Sequence, residues 1–144
     1  MKRFFFNLEK FLALRKFEEQ EAKTELGRAI GVLSEIEQRL SSLAEERSRA
    51  AASQFAPENS AAMIQQYMFY LLRLDSAREH LCKEAALAEL KVEEAREVFR
   101  AAYQNREALD RLKEKRETEY KKATLAEDIS MTDEIAGRRA VRNE

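Results

Sequence analysis

The chain has 144 residues, of which 37% are charged, and its formal net charge is only −1 at pH 7. That balance excludes a bulk electrostatic attraction to nucleic acid. The single cysteine, Cys82, excludes an internal disulfide and is typical of a reducing compartment. Many charged residues, one proline and three glycines are typical of coiled coils and long helical hairpins.

The first residues combine a basic start with three phenylalanines and so resemble the beginning of a signal peptide. Asn7 and Glu9 interrupt the apolar run while it is still much shorter than a signal core. No other stretch has the length and apolarity of a membrane span. We therefore expect a cytoplasmic protein.

The first helix is predicted from about residue 3 to residue 50. Its apolar residues recur in alternating steps of three and four, which keeps one side of a helix, here called the seam, against a partner. The first-helix seam comprises Ala22, Leu26, Ala29, Leu33, Ile36, Leu40 and Leu43. Extended backwards, the register falls on the charged Glu19 and Arg15, so we expect a looser seam there. Apolar residues then return at Leu12, Leu8 and Phe5.

Two glycines, Gly27 and Gly31, lie one turn apart on this helix and off its seam. Each costs about 1 kcal/mol relative to alanine inside a helix. Two explanations are open: they are tolerated surface residues, or they allow a partner to approach closely.

A loop is predicted at about residues 51–59, where the only proline, Pro57, lies in a small polar cluster. Asn59 or Ser60 is the expected N-cap of the next helix, because either side chain can accept a hydrogen bond from an unpaired amide. We expect the chain to reverse here into an antiparallel hairpin, with Leu43 beside Tyr67.

The second helix is predicted from about residue 60 to residue 127, with no glycine or proline inside its seam. That seam comprises Ile64, Tyr67, Leu71, Leu74, Arg78, Leu81, Ala85, Ala88, Val92, Ala95, Phe99, Ala102, Arg106 and Leu109. The two arginines are expected to extend towards solvent or to find carboxylates. Beyond about Arg106 the helix should continue unpaired, followed by a short frayed segment at residues 128–144, with Ser130 or Thr132 capping a last helical piece. The predicted fold is all-α, a single domain made of one long antiparallel two-helix coiled-coil hairpin.

No catalytic or cofactor motif accompanies these helices. The P-loop pattern is missing, and one histidine with one cysteine provides too few ligands for zinc. His80 is expected to be a solvated helix residue and Cys82 a partly buried one. Carboxylates alternate with lysine and arginine, as on a solvated face. We therefore predict a protein that is not an enzyme and has no catalytic residue, metal, cofactor or small-molecule substrate.

Apolar residues exceed what one seam can cover at two places. Residues 67–74 are apolar at seven of eight positions, and Phe69, Tyr70 and Leu72 point away from the seam. They either pack locally, against Phe55 among others, or form a protein-binding patch. The second place is the N-terminal tip, which is expected to lie opposite Phe99 and Tyr103 and is either a folded-back plug or a docking end. Its members are Phe4, Phe5, Phe6, Leu8, Phe11, Leu12 and Phe17.

The order of three motifs resembles the FliJ family, soluble components of the bacterial flagellar type III export apparatus. The motifs are Phe6-x-Leu8-x-x-Phe11-Leu12-x-Leu14-Arg15, then Gln65-Gln66-Tyr67, then Asp133-Glu134-Ile135-Ala136-x-Arg138. The resemblance implies an antiparallel coiled coil similar to the central stalk of rotary ATP synthases. It also implies a place at the flagellar base, peripheral to the inner membrane. The implied partners are the hexameric export ATPase, the export-gate membrane protein FlhA and export chaperones.

The resemblance also implies two sets of binding residues. For the gate protein, the positions that match the family are Tyr67, Leu71, Leu74 and Arg78. If these residues face inward on the seam, the alternative binding residues are their neighbours Met68, Phe69, Tyr70 and Leu72. For the ATPase ring, by analogy with the stalk, the tip residues are Phe4, Phe5, Phe6, Leu8, Phe11, Arg111 and Arg116. Three alternative functions are an injectisome stalk homologue, a stalk subunit of a rotary ATPase, and a generic coiled-coil adaptor or scaffold. The rotary-ATPase subunit is disfavoured because its additional globular domain has no counterpart here.

Overall fold

The computed structural model describes residues 2–142, which form an all-α hairpin of two long helices packed against each other. Helix α1 spans Glu9–Gln54 and helix α2 spans Ala61–Arg142, and no strand occurs between residues 2 and 142. The predicted fold class is confirmed. The chain divides into two compact units. The loop unit is Gln20–Arg100, and the terminal unit joins the residues up to Glu19 with those from Ala101 onward.

Side chains of the turn close both helix ends. The Ser60 hydroxyl accepts a hydrogen bond from the Met63 amide at 3.3 Å, so Ser60 is the N-cap of α2. The Asn59 side-chain amide donates to the carbonyls of Ser53 and Gln54, at 2.8 and 3.0 Å. These are carbonyls that the end of α1 leaves without helical partners. The helix therefore continues to Gln54, beyond the predicted end near residue 50. The observed loop is shorter than the predicted one.

The apolar seam of the loop unit lies where the 3–4 spacing predicts it. From Ala22 to Leu43 on α1, and from Ile64 to Phe99 on α2, the predicted seam positions are buried or half-buried, apart from the exposed Arg78. The most buried are Ala22, Ile36, Leu74, Ala88 and Val92. Burial of such side chains contributes about 25 cal/mol per Å² of apolar surface.

The pairing register of the two helices differs from the predicted one. The Arg47 guanidinium binds the Asp75 carboxylate, with an Nε–Oδ1 distance of 2.6 Å. Leu43, one turn before Arg47, is therefore level with a part of α2 beyond Asp75 and not with Tyr67. The cause is the later end of α1 at Gln54, which moves the point of reversal along the chain.

In the terminal unit α1 begins at Glu9, later than predicted, because the preceding residues pack on α2 in a non-helical conformation. The Phe4 ring lies 5.5 Å from the Tyr120 ring, centroid to centroid. Phe6 is buried, and the Arg116 guanidinium lies 6.0 Å from the centre of its ring. A continuous helix would place three successive side chains 100° apart and could not bring Phe4 and Phe6 to the same surface.

This segment also gives α2 a partner well beyond Arg106, where the sequence predicted an unpaired helix. The Lys113 ammonium binds the Glu9 carboxylate at 2.9 Å. The Arg116 guanidinium donates to the side-chain oxygen of Asn7 at 2.7 Å. The predicted start of the unpaired stretch was therefore wrong.

Helix α2 also ends later than predicted. The prediction placed its end near residue 127 and a frayed segment at residues 128–144. The helix instead continues to Arg142, and residues 143–144 lie outside the described range. Every residue from 125 to 142, here called the overhang, is exposed.

Local interactions explain why the overhang remains helical. The Thr132 hydroxyl, predicted as a possible cap, donates to the Asp128 carbonyl one turn earlier at 2.8 Å, as in a helix interior. Arg138 binds Glu134 at 2.5 Å with i,i+4 spacing. Such pairs support a helix by a few tenths of a kcal/mol each.

Candidate functional site

An exposed apolar cluster occupies the first turns of α2. We call it the α2 patch and define it as Met68, Phe69 and Leu72, each of which exposes between 52% and 60% of its surface. Their spacing puts them on one side of the helix, away from α1. Apolar clusters on a regular helix are suited to binding another protein because the backbone is already ordered.

The seam neighbours of the patch face inward, as the heptad spacing predicted. Leu74 is only 6% exposed, and Tyr67 and Leu71 are half-buried. Of the positions that match the family's gate stripe, Arg78 alone is fully on the surface. The exposed apolar side chains are therefore the neighbours Met68, Phe69 and Leu72, whereas the apolar residues of the stripe are buried or half-buried.

Tyr70 corrects one prediction, since it was expected to point away from the seam. Its ring is half-buried, and its hydroxyl donates a hydrogen bond to the Glu46 carboxylate of α1. That hydrogen bond is the main reason why the pKa of Tyr70 lies above its ordinary value. The contact fixes the rotation of α2 at the α2 patch and leaves Phe69 turned outward.

Phe55 does not cover the α2 patch, although local packing against it was one of the two sequence-based explanations. Phe55 lies in the turn and is exposed. Met63, one turn before the patch, is exposed as well. The apolar surface at this end of the loop unit thus exceeds what the hairpin covers.

The aromatic tip residues fall into two groups. Phe4 is half-buried against Tyr120 and Phe6 is buried, as a folded-back plug would be. Phe5 exposes 84% of its surface and Phe11 is also exposed, as at a docking end. Phe5 was predicted on the seam, and it is not there because the chain before Glu9 is not helical. Leu8 is half-buried.

The two arginines predicted at this end have different surroundings. Arg111 is exposed, and its guanidinium binds Glu107 at 2.7 Å within the same helix. Arg116 is engaged by Asn7 and by the Phe6 ring, so it secures the N-terminal segment.

Arg106 forms the most sheltered ion cluster of the terminal unit. Its guanidinium binds Glu19 of α1 and Asp110 of α2, each at 2.6 Å. It also lies 5.0 Å from the centre of the Tyr103 ring. The hydrogen bond to Glu19, followed by that to Asp110, raises the pKa of Arg106 above its ordinary value. Of the two outcomes expected for this seam arginine, extension towards solvent or pairing with carboxylates, the second is observed. The cluster sets the local register of the helices.

Neither His80 nor Cys82 belongs to a metal-binding cluster within residues 2–142. No set of three or more histidine, cysteine or acidic side chains is placed to hold a metal ion. His80 is exposed and lies 3.0 Å from Glu84, while Cys82 is exposed rather than partly buried. Neither described helix has the length and apolarity needed to cross a membrane.

Comparison with known proteins gives one result. The family model described as "Flagellar FliJ protein" matches residues 4–144, which is nearly the whole chain. No curated protein and no solved structure gives a significant match. The matched range includes both helices, the turn and the aromatic segment from Phe4.

Proposed function

Because the chain belongs to the flagellar FliJ family, and is thus a component of the flagellar export apparatus, we propose a stalk-like role for it. In this role the hairpin links the hexameric export ATPase to the export-gate membrane protein FlhA and handles export chaperones. The family is one of structural components and not of enzymes. The proposed location is the cytoplasm, at the periphery of the inner membrane beneath the flagellum.

The observation that carries this proposal is the uncovered α2 patch on a hairpin of this family. Phe69 offers an aromatic anchor, and Met68 and Leu72 flank it with aliphatic surface. Aromatic side chains bury a large area at low entropic cost and dominate the energetics of interfaces. We therefore assign the gate contact to these three residues and give Tyr67, Leu71 and Leu74 the role of holding the patch in place.

The ATPase contact is proposed at the terminal unit. Phe5, Phe11 and Arg111 have free surface there, while Phe4, Phe6, Leu8 and Arg116 hold the N-terminal segment on α2. Exposed aromatic side chains and arginines are enriched at protein interfaces, which supports a contact here.

The gate assignment is tested by replacing Phe69 and Leu72 together with alanine. We expect binding to the isolated cytoplasmic part of the gate protein to be lost, with the unfolding midpoint nearly unchanged, since exposed substitutions usually change stability by under about 0.5 kcal/mol. The matched control is Leu87→Ala with Leu90→Ala, two leucines that are equally exposed on α2. The control should bind normally.

Two results would contradict the gate assignment. In one, the Phe69 and Leu72 variant unfolds, which would make these residues part of the core. In the other, Leu71→Ala with Leu74→Ala abolishes binding in a protein that remains folded, which would transfer the site to the inward stripe.

The ATPase contact has its own test, which is independent of the gate. Phe5→Ser with Phe11→Ser should reduce co-purification with the export ATPase while gate binding remains. Full retention of the ATPase by this variant would remove these residues from the proposed contact. A failure of the wild-type chain to co-purify with any hexameric ATPase would favour a generic adaptor instead.

A further inference from the structure

The overhang carries apolar side chains that nothing in the described chain covers. Between 54% and 77% of the surface of each is exposed, for Leu125, Ile129, Met131, Ile135 and Val141. A helix of this length is marginal in water unless its apolar side is buried. The overhang therefore offers exposed apolar surface to a partner, and its own support comes only from weak local interactions.

Most apolar side chains of the overhang do not continue the hairpin seam. The half-buried positions Glu117, Tyr120 and Thr124 continue in steps of three and four to Glu127, Met131 and Glu134, of which only Met131 is apolar. The other large apolar residues lie elsewhere around the helix. A longer α1 would thus meet a mainly polar surface here, and a partner that covers the other residues must approach from another side.

A separate set of residues forms one face of the overhang. Leu125, Asp128, Thr132, Ile135 and Arg139 follow one another in steps of three, four, three and four. This spacing keeps the five side chains on one side of the helix, as in a coiled-coil interface. Two of the five residues, Leu125 and Ile135, are large and apolar, and the face carries an acid near one end and a base near the other.

Over the whole overhang, as on this face, acidic residues lie towards the N-terminal end and basic residues towards the C-terminal end. Residues 125–134 contain four acidic side chains and no basic one, whereas residues 135–142 contain three arginines and no acidic side chain. The helix dipole accounts for Arg139 and Arg142, which lie in the last turn. It does not account for the acids, which lie many turns from the N-terminus of α2. The segregation instead matches a helix of the same sequence running in the opposite direction.

We propose that, in the free protein, the overhang pairs in antiparallel orientation with the overhang of a second copy of this chain. Placing Asp128 opposite Arg139 of the other copy also places Thr132 opposite Ile135. The twofold symmetry of such a pair repeats each of these contacts. The acidic half of each helix then lies along the basic half of the other. This proposal is independent of the gate and ATPase contacts proposed above.

The test is sedimentation equilibrium of the full chain, with charge reversals on the overhang face. We expect a monomer–dimer equilibrium that weakens as salt is raised, because the charge pairs are screened. Asp128→Arg alone and Arg139→Glu alone should each weaken dimerisation about tenfold. The double variant Asp128→Arg/Arg139→Glu should regain it, because an antiparallel pair is again complementary and a parallel pair is not.

Asp133→Arg is the matched control. It makes the same charge change about 140° around the helix from Asp128, away from the proposed interface. Circular dichroism of each variant checks that the overhang remains helical. A chain that is monomeric at the highest concentration, reversals no stronger than the control, or a double variant that fails to recover would each overturn the proposal. So would a monomer whose overhang is covered only by the export ATPase.

Discussion

The two units hold α2 by different means. In the loop unit the buried contacts come from small and aliphatic side chains such as Leu74, Ala88 and Val92. In the terminal unit much of the contact is polar, with Arg106 between two carboxylates and Lys113 on Glu9. Both interfaces contain apolar and polar contacts, since Arg47 binds Asp75 in the loop unit and Leu12 is buried in the terminal unit. The terminal unit has the larger share of ion pairs between the helices.

The difference has a consequence for stability. Apolar burial is insensitive to salt, whereas partly exposed ion pairs contribute little individually and are screened. We therefore expect the loop unit to open at higher denaturant concentration than the terminal unit. The end of the terminal unit, where we propose the ATPase contact, is then the more easily deformed surface, and the α2 patch lies on the more stable unit.

The largest expected effect comes from a proline in the apolar seam. Ala88→Pro removes a helical hydrogen bond at a buried position and should cost about 3 kcal/mol or more. The control is Ala136→Pro in the overhang, which should reduce helical circular dichroism locally and leave the main urea transition in place. Equal shifts of that transition for both variants would mean that the overhang is part of the cooperative core.

A second comparison uses two leucines that are two residues apart on the same helix and point to different sides of it. Leu74 is 6% exposed and Leu72 is 58% exposed, although the chemical change to alanine is identical. We expect Leu74→Ala to cost about 2–5 kcal/mol and Leu72→Ala under about 0.5 kcal/mol, as measured by urea unfolding. Similar losses for both would mean that the inward and outward sides of α2 have been exchanged.

The seam was predictable from sequence because it depends only on local spacing. Heptad steps place side chains on one side of a helix whatever the rest of the chain does, so the seam assignments of Leu74 and Ala88 were correct. For the charged seam residue Arg106 the sequence left two outcomes open, extension towards solvent or pairing with carboxylates, and the structure shows the second. The outward direction of Phe69 followed from the same spacing.

The predictions that were wrong concerned features that depend on contacts between distant parts of the chain. The start of α1 is set by Phe4 and Phe6 packing against side chains more than a hundred residues away, which no local pattern encodes. The pairing register depended on where the turn begins, and the Asn59 side chain extends α1 by closing its last carbonyls. The late end of α2 is accompanied only by weak local interactions such as the pair of Arg138 with Glu134, and no single strong sequence signal marks it.

A smaller effect is expected from the glycines. An added Cβ at Gly27 meets nothing within 4 Å, and the same holds at Gly137 in the overhang. Alanine at Gly27 should therefore stabilise the loop unit by up to about 1 kcal/mol in urea unfolding. Alanine at Gly137 should raise helicity without moving that transition. If Gly27→Ala stabilises the chain but weakens the binding of a partner, the glycine is there to let that partner approach the helix closely.

The smallest effect concerns one ion pair of the loop unit and its dependence on pH. The hydrogen bond from Arg47 lowers the pKa of Asp75 below its ordinary value of 3.8. Because the folded-state pKa lies below the unfolded-state pKa, the pair stabilises the fold fully above about pH 4. That contribution is lost as the pH falls through the folded-state pKa of Asp75.

Asp75→Asn isolates this contribution. The gap in urea midpoint between the wild type and the variant should be constant near neutral pH, shrink below about pH 4 and be smaller in high salt. The control is Glu35→Gln, which removes a more exposed pair with Arg39 inside α1. Its gap should be small at every pH, since exposed pairs within a helix contribute little. If the Asp75→Asn gap persists at its neutral value down to pH 2, packing of the carboxylate rather than its charge stabilises the loop unit there.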